Sequence, residues 1–195
     1  MWIKICGIKT KKELLDLIPL RPDAVGFVIG TKISKRNISL RKAKELIKYV
    51  PDPIKKVAVS LNPDAIRKID DYVDYVQIYE DFYQFKSRII RSYLCSEFNL
   101  KKFRKSEKKI EMVLIDTGYG SGKVHDWRIT RHIRESIKKP LVMAGGLTPE
   151  NVRSAIATVK PFGVDISSGV EIAGEKDYFL MKKFMERARG VENGI

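Results

Sequence analysis

The chain has 195 residues, of which 44% are hydrophobic, and this size and composition favour one folded domain spanning residues 1–195 over a disordered chain. No apolar run reaches the roughly 20 residues of a membrane-spanning helix, and the N-terminus lacks the pattern of a secretory signal peptide, so we expect a cytoplasmic protein with no membrane partner. The net charge of +14 is compatible with nucleic-acid binding or with a positive field that attracts small anions.

Short apolar segments alternate with charged, helix-periodic segments along the whole chain. Residues 40–50 place their apolar side chains on one helical face, with Ser39 as N-cap, and residues 147–159 begin with Thr148 as N-cap and Pro149 at the first helical position. Such alternation predicts parallel strands joined by right-handed crossovers. The predicted strands are residues 2–6, 24–29, 55–60, 75–79, 89–95, 111–116, 140–145 and 162–167.

Eight strand–helix units predict an α/β fold, a single-domain (β/α)8 barrel. The strands are apolar on both faces, as in a barrel wall covered by helices. The alternative is an open, doubly wound sheet, which would normally carry a glycine-rich dinucleotide-binding turn after its first strand. Residues 6–9, with the sequence CGIK, do not form such a turn. In a barrel the active groups lie at the carboxyl ends of the strands, and the search for a site therefore concentrates there.

The last two predicted strands end in glycine- and serine-containing turns that are typical of phosphate binding. The segment AGGLTPEN (144–151) places two glycines between a strand and a helix, and DISSGVE (165–171) places Ser-Ser-Gly after the eighth strand. Glycine N–H groups approach an anion closely, and barrels commonly hold phosphate at these two loops. The alternative is that both segments are tight turns that need glycine for conformational reasons alone.

Two strand ends carry groups suited to proton transfer. Asp116 ends the very apolar strand EMVLID, where partial removal from water would let a carboxyl group hold and donate a proton. Cys6 ends the first strand, and a thiol accepts a proton when nearby cations or backbone N–H groups lower its pKa. The alternatives are a helix cap or ion-pair partner for Asp116 and a small core thiol for Cys6. Lys4 shares a strand face with Cys6 but has no role assigned by the sequence.

Other polar segments are less specific. The loop 117–127 contains three glycines and is a candidate lid or a flexible connection, with Asp126 as the cap of the next helix. Arg36 can pair with a carboxylate or phosphate, although an arginine in so basic a chain is more often on the surface. The basic run KKFRKSEKK (101–109) is read as a solvated helix face. Cysteines and histidines match no zinc spacing, so we predict two reduced thiols and no metal.

Six motifs follow one another along the chain from residue 1 to about residue 190: KICGI (4–8), SKRNIS (34–39), LIDT (114–117), GSGKVHDW (120–127), AGGLTPENV (144–152) and VDISSGVE (164–171). Together and in this order they resemble the motifs of the phosphoribosylanthranilate isomerase family of tryptophan biosynthesis. The resemblance implies an Amadori rearrangement of N-(5-phosphoribosyl)anthranilate, a small phosphorylated substrate, with no cofactor, metal or nucleic-acid partner. A monomer and a homodimer both stay open.

The resemblance also implies roles for individual residues. Asp116 would be the general acid that protonates the furanose ring oxygen, and Cys6 the general base that removes the proton from C2′. Arg36 would face the anthranilate carboxylate, and Gly7 would let the chain turn closely beneath the substrate. The residues expected around the phosphate are Gly145, Gly146, Ser167, Ser168 and Gly169.

The chain departs from the family pattern at the end of the fourth strand, which reads VQIYE (76–80), so that Tyr79 stands where a histidine is common. Two related barrel families fit less well. An indole-glycerol-phosphate synthase relies on lysines and glutamates at strand ends, and a histidine-pathway isomerase would want an aspartate where the first strand carries Cys6. A nucleic-acid-binding protein would carry an RNA-binding, helix-turn-helix or zinc motif, none of which the sequence contains.

Overall fold

The computed structural model describes residues 1–80, 84–116 and 126–190. Eight strands form the wall of a closed barrel, and each lies within two residues of its predicted bounds. They are β1 (Trp2–Cys6), β2 (Ala24–Ile29), β3 (Lys55–Ser60), β4 (Tyr75–Ile78), β5 (Arg88–Leu94), β6 (Met112–Asp116), β7 (Leu141–Met143) and β8 (Gly163–Ile166).

Every neighbouring pair of these strands is parallel, and the pairing of β1 with both β2 and β8 closes the sheet. The (β/α)8 barrel predicted from the alternation is therefore confirmed, and the open doubly wound sheet is excluded. Closure brings the carboxyl ends of all eight strands to one rim of the barrel. A short segment, Asn37–Ile38, extends the wall beside β2, and a small antiparallel hairpin pairs Glu171–Ile172 with Glu175–Lys176.

Helices cover the outside of the barrel. They are α1 (Lys11–Leu17), α2 (Leu40–Ile47), α3 (Pro63–Arg67), α4 (Leu100–Ser106), α5 (Trp127–Ser136), α6 (Val152–Val159) and α7 (Tyr178–Gly190). The predicted strict alternation is wrong at one place, because the described residues between β4 and β5 contain no helix. Residues 79–87 are fewer than the dozen or so that a helical crossover normally needs.

The predicted helix caps are mostly confirmed. The Ser39 side chain accepts a hydrogen bond from the Lys42 N–H at the start of α2, and Asp126 accepts one from the Arg128 N–H at the start of α5. The prediction for α6 is wrong in detail, because the helix begins at Val152 and not at Pro149. Thr148 instead stabilises the turn before the helix, its hydroxyl accepting from the N–H groups of Glu150 and Asn151.

Alternating side chains of the strands divide between two apolar cores, as period-two strands require. One core lies between the barrel wall and the helices, and the other fills the barrel interior. In the basic run of α4 only Phe103 is buried, so its lysines and arginine lie toward solvent as predicted. No helix in the described part of the chain is long and apolar enough to span a membrane.

Candidate active site

A cavity lies at the rim where the carboxyl ends of the strands meet. Seven of the nine residues that the sequence selected line it together: Cys6, Arg36, Asp116, Gly145, Gly146, Ser167 and Ser168. They come from five separate chain segments that only the closed barrel brings to one place. Gly7 and Gly169 are not among the lining residues.

Cys6 ends β1 with its thiol inside the barrel, where the residue is only 7% exposed. Burial raises the pKa of the thiol, because removal from water disfavours the thiolate, and Asp165 adds to the rise. The ammonium groups of Lys4 and Lys176 oppose this rise in pKa. The cations that the sequence analysis expected near a proton-accepting thiol are thus present, but burial outweighs them and the pKa of Cys6 is raised, not lowered.

Asp116 ends β6, separated from β1 by β7 and β8 around the barrel. The residue is 6% exposed and lines the same cavity as Cys6. A buried carboxyl group and a buried thiol at different strand ends can act on different atoms of one bound molecule. This arrangement suits a reaction that needs both an acid and a base.

Arg36 lies in the loop after β2 and forms a two-pronged ion pair with Glu171. Its Nε lies 2.6 Å from Oε1 and its Nη2 lies 2.8 Å from Oε2. A guanidinium has five N–H donors, of which this pair uses two, so Arg36 retains donors for a further anion. Glu171 fixes the orientation of the guanidinium at the cavity wall.

Lys176, in the hairpin after β8, extends this network toward Cys6. Its fully buried Nζ lies 2.6 Å from Glu171 Oε1 and 3.0 Å from the Ser167 carbonyl oxygen. The Ser167 hydroxyl also accepts from this ammonium and donates to the Cys6 carbonyl oxygen at 2.9 Å. Burial lowers the pKa of Lys176, and Glu171 opposes that shift. The Ser167 side chain is therefore engaged within the protein, holding the end of β1 against the end of β8.

The turn after β7 is built for a close approach to its backbone. Gly145 and Gly146 have φ values of 86° and 65°, a region that favours glycine. The Asn151 side chain stabilises the turn with two hydrogen bonds. Its Nδ2 donates to the Gly146 carbonyl oxygen at 2.8 Å, and its Oδ1 accepts from the Thr148 N–H at 2.8 Å. The predicted strand 140–145 is shorter than expected because the chain leaves the extended conformation at these glycines.

Gly7 and Gly169 are needed for packing beside the cavity. A Cβ on Gly7 would lie 2.4 Å from Arg36 Cδ, so this glycine makes room for the arginine stem. A Cβ on Gly169 would lie 1.9 Å from the Leu147 carbonyl oxygen, so the turn after β8 is pressed against the turn after β7. Both glycines thereby shape the site from outside its lining.

Replacement of Gly169 by alanine is expected to destabilise the fold. The new methyl group would overlap a backbone oxygen that cannot rotate away, and overpacking of this kind costs about 1–3 kcal/mol. Denaturant unfolding measures the loss. Ser168→Ala is the matched control in the same turn, and we expect it to change the free energy of unfolding by less than about 0.5 kcal/mol. Equal stability of the two variants would contradict the close packing of the two turns.

Tyr79 lines the cavity near the proposed acid and base. Burial raises the pKa of its hydroxyl, and the nearby Asp116, Cys6 and Asp165 raise it further. The hydroxyl therefore stays protonated over the physiological pH range and can act as a hydrogen-bond donor, unlike a histidine, whose charge changes there.

Sequence reasoning missed four charged residues of the site. Glu171 and Lys176 follow the eighth strand, and the pairing of Glu171 with Arg36 and with Lys176 gave no local signal. Lys4 and Asp165 were part of quoted motifs, but nothing in the sequence showed that Lys4 Nζ would lie 2.8 Å from Asp165 Oδ2 inside the barrel. The alternation that placed Lys4 on the face of Cys6 was the one signal available.

Three further predictions concern the candidate lid, a metal site and the state of the cysteines. Of the candidate lid, residues 117–127, the segment 117–125 lies outside the described residues. Within residues 1–80, 84–116 and 126–190, no three histidine, cysteine or carboxylate side chains come together in a way that could hold a metal ion. Both cysteines are free thiols.

Comparison with known proteins finds similarity over nearly the whole chain. The model of the N-(5′-phosphoribosyl)anthranilate (PRA) isomerase family matches residues 3–187. A relative from Pyrococcus abyssi that bears the name N-(5′-phosphoribosyl)anthranilate isomerase is 38% identical, over 98% of this chain and 99% of the relative.

Solved structures show the same fold. A phosphoribosyl anthranilate isomerase in complex with reduced 1-(o-carboxyphenylamino)-1-deoxyribulose 5-phosphate has a TM-score of 0.79 and 32% identity, covering 96% of this chain and 98% of that chain. Monomers generated from the dimeric enzyme of Thermotoga maritima have a TM-score of 0.80 and 33% identity, with the same coverage.

Proposed function

The chain belongs to the N-(5′-phosphoribosyl)anthranilate isomerase family, whose isomerase activity in tryptophan biosynthesis it shares, and we propose that Cys6 and Asp116 carry the two proton transfers of this reaction. The observation that supports the proposal is the placement of both side chains in one cavity, at the ends of β1 and β6. The substrate is a closed furanose ring with an anthranilate nitrogen on C1′. The product is the open-chain ketose with the same atoms.

Asp116 acts first, as the general acid. Its protonated carboxyl group gives a proton to the ring oxygen while the bond between that oxygen and C1′ breaks. The nitrogen lone pair forms the new double bond to C1′, so that the ring opens to an iminium. Burial of Asp116 keeps water from competing for the proton that it donates.

Cys6 acts second, as the general base. Its thiolate takes the proton from C2′, and the electrons of that C–H bond form a C1′–C2′ double bond while the iminium nitrogen becomes neutral. The resulting enol-amine then becomes the ketone, C1′ gaining a proton and the C2′ hydroxyl losing one. The substrate gains two protons, at the ring oxygen and at C1′, and loses two, from C2′ and from the C2′ hydroxyl. The rearrangement is therefore redox-neutral, and internal proton transfer of this kind needs no cofactor.

The two anionic ends of the substrate would lie against different parts of the rim. Arg36, oriented by Glu171, offers its remaining N–H donors to the anthranilate carboxylate. The backbone at Gly145 and Gly146, with the turn at Ser167 and Ser168, would surround the phosphate. Gly169 would contribute through the packing of that turn. The net charge of +14 would steer this anionic substrate to the site.

A fluorescence assay tests the reaction. The substrate is fluorescent, and its conversion is followed as loss of that fluorescence. The purified chain in a chelator-containing buffer should remove this signal and yield a product of unchanged mass. Mass spectrometry separates isomerisation from hydrolysis, which would add one water molecule. Absence of any fluorescence loss, or a product of different mass, would contradict the proposal.

Replacement of Arg36 by methionine is expected to raise KM by about 10–100-fold and to change kcat much less, because a hydrogen bond to a charged group contributes about 1.5–3 kcal/mol. Glu171 stays paired with Lys176 in this variant, so no buried carboxylate loses its last partner. Steady-state kinetics measure the effect. Arg41→Met, on exposed α2 surface, removes the same charge and should leave KM within about twofold. Equal KM values for the two variants would contradict the role of Arg36.

A further inference from the structure

The interior of the barrel holds a buried ion pair that the mechanism above does not use. Lys4 Nζ lies 2.8 Å from Asp165 Oδ2, and the side chains are 0% and 8% exposed. Burial of two charges is expensive, and a pair of well-packed apolar residues often stabilises a core as well or better. The pair is therefore poorly explained as a source of stability alone.

Strand register places this pair directly beneath the thiol of Cys6. Lys4 and Cys6 are two residues apart on β1 and point to the same face, and Asp165 is the cross-strand partner of Lys4 on β8. A Cβ on Gly26 of β2 would lie 2.8 Å from Cys6 Sγ and 3.1 Å from Lys4 Cε. Sγ and Cε thus lie within about 6 Å of each other, and the ammonium group carried by Cε lowers the pKa of the Cys6 thiol through its charge and a hydrogen bond.

We propose that Lys4 is a positioning residue that stabilises the thiolate of Cys6 as a positive charge, and that Asp165 keeps Lys4 in place and protonated. The inference rests on the proposed role of Cys6 as the base. The absence of a side chain at Gly26 is part of this arrangement, since any side chain there would separate the Lys4 ammonium group from the Cys6 thiol.

Asp165 counteracts the tendency of burial to neutralise Lys4. Burial alone would lower the pKa of Lys4, but the Asp165 carboxylate and the Cys6 thiol outweigh this effect and the pKa is raised. The second carboxylate oxygen, Oδ1, is buried and has no hydrogen-bond partner among the described residues. Among the described residues, Asp165 thus uses its other oxygen, Oδ2, to accept a hydrogen bond from Lys4 Nζ.

Other charged groups also act on the thiol and must be held constant in any test. The cations are Lys176 in the hairpin after β8 and Arg36 in the loop after β2, both paired with Glu171. Besides Asp165 of the pair itself, the acidic group that lines the cavity is Asp116 on β6, and Tyr79, which follows β4, is a neutral phenol. Lys4 is the cation with the largest effect on the pKa of Cys6.

The test is a titration of Cys6 that does not depend on activity. In a Cys95→Ser background, the Cβ carbon of the one remaining cysteine reports its ionisation by NMR as the pH is changed. Lys4→Met should raise the pKa of Cys6 by about one unit or more, since loss of an opposite charge acts in that direction. Lys4→Met/Asp165→Asn, which replaces the pair by neutral side chains of similar shape, should also raise it, by less.

A matched control removes the same two residue types elsewhere. Lys12 and Asp16 on α1 also pair at 2.8 Å, but their side chains are 84% and 31% exposed. Lys12→Met/Asp16→Asn should leave the titration of Cys6 unchanged. An unchanged pKa of Cys6 in Lys4→Met or in the neutral double variant would overturn the proposal.

Two further measurements keep the proposal testable. If the variants do not fold, the Nζ resonance of Lys4 in the unaltered chain decides, because the proposal requires Lys4 to be protonated at the pH where Cys6 titrates. If they fold, the rising limb of kcat/KM against pH should move upward with the pKa of Cys6. Full activity of Cys6→Ala would contradict the proposed function, whereas an unshifted titration would contradict only the role of Lys4.

Discussion

Replacement of Cys6 by alanine is expected to lower kcat by about two to four orders of magnitude, with KM changed by no more than about threefold. A general base contributes mainly in the transition state, where the proton on C2′ is in motion. The thiol contributes little to binding, because the carboxylate and phosphate ends of the substrate lie against other groups. Steady-state measurement of fluorescence loss separates the two parameters.

Cys95→Ser is the matched control for this variant. Cys95 is the other thiol of the chain, is half-buried beside Thr130 at 3.9 Å between Sγ and Oγ1, and does not line the cavity. We expect its replacement to leave kcat within about twofold. Full turnover by a folded Cys6→Ala variant would rule out Cys6 as the base and leave the cavity without an assigned proton acceptor.

The pH dependence of the unaltered chain provides a second check on Cys6. Since burial raises the pKa of this thiol, the thiolate is the minor form at neutral pH. The thiolate fraction should therefore rise by about tenfold for each pH unit until the thiol ionises, and kcat/KM should rise with it over the pH range in which the acid, Asp116, still carries its proton. The residual rate of Cys6→Ala should lack this rise, since no group at position 6 then titrates.

The sequence was sufficient for the barrel because the signals that define it are local. Apolar segments mark the strands, and their regular alternation with helical segments specifies parallel neighbours. The exception, residues 79–87, shows the limit of this reasoning, because a shorter connection lets β4 and β5 pair without a helix among the described residues. The end of β7 was predicted too far along the chain. The composition of residues 140–145 suits a strand, but the positive φ of Gly145 takes the backbone out of the extended conformation.

The site was predictable only in part, because only some of its residues give a local signal in the sequence. Cys6, Asp116 and the glycine turns could be chosen because each stands at the end of a recognisable strand. The partners of these groups could not, since Lys4 meets Asp165 and Arg36 meets Glu171 across most of the length of the chain. A sequence shows which side chains share a face of one strand. Barrel closure decides which faces meet, and the charges that set the pKa of Cys6 arise from that closure.

Replacement of Asp116 by asparagine is expected to lower kcat by about two to four orders of magnitude, through loss of the proton that opens the ring. Asparagine keeps the size of the side chain and its hydrogen-bonding capacity, so the buried end of β6 should retain its packing. Asp52→Asn is the matched control, because its side chain is 91% exposed and precedes β3 at the opposite end of the barrel.

Binding of the reduced product analogue separates acid catalysis by Asp116 from a role in holding the substrate. This analogue already has an open chain, so its affinity requires no proton donation, and a general acid can be removed without weakening it. We expect Asp116→Asn to bind the analogue within about threefold of the unaltered chain while its kcat falls. A loss of affinity as large as the loss of kcat would instead make Asp116 a binding residue. The ring oxygen would then need another proton donor, for which the neutral hydroxyl of Tyr79 in the same cavity is a candidate.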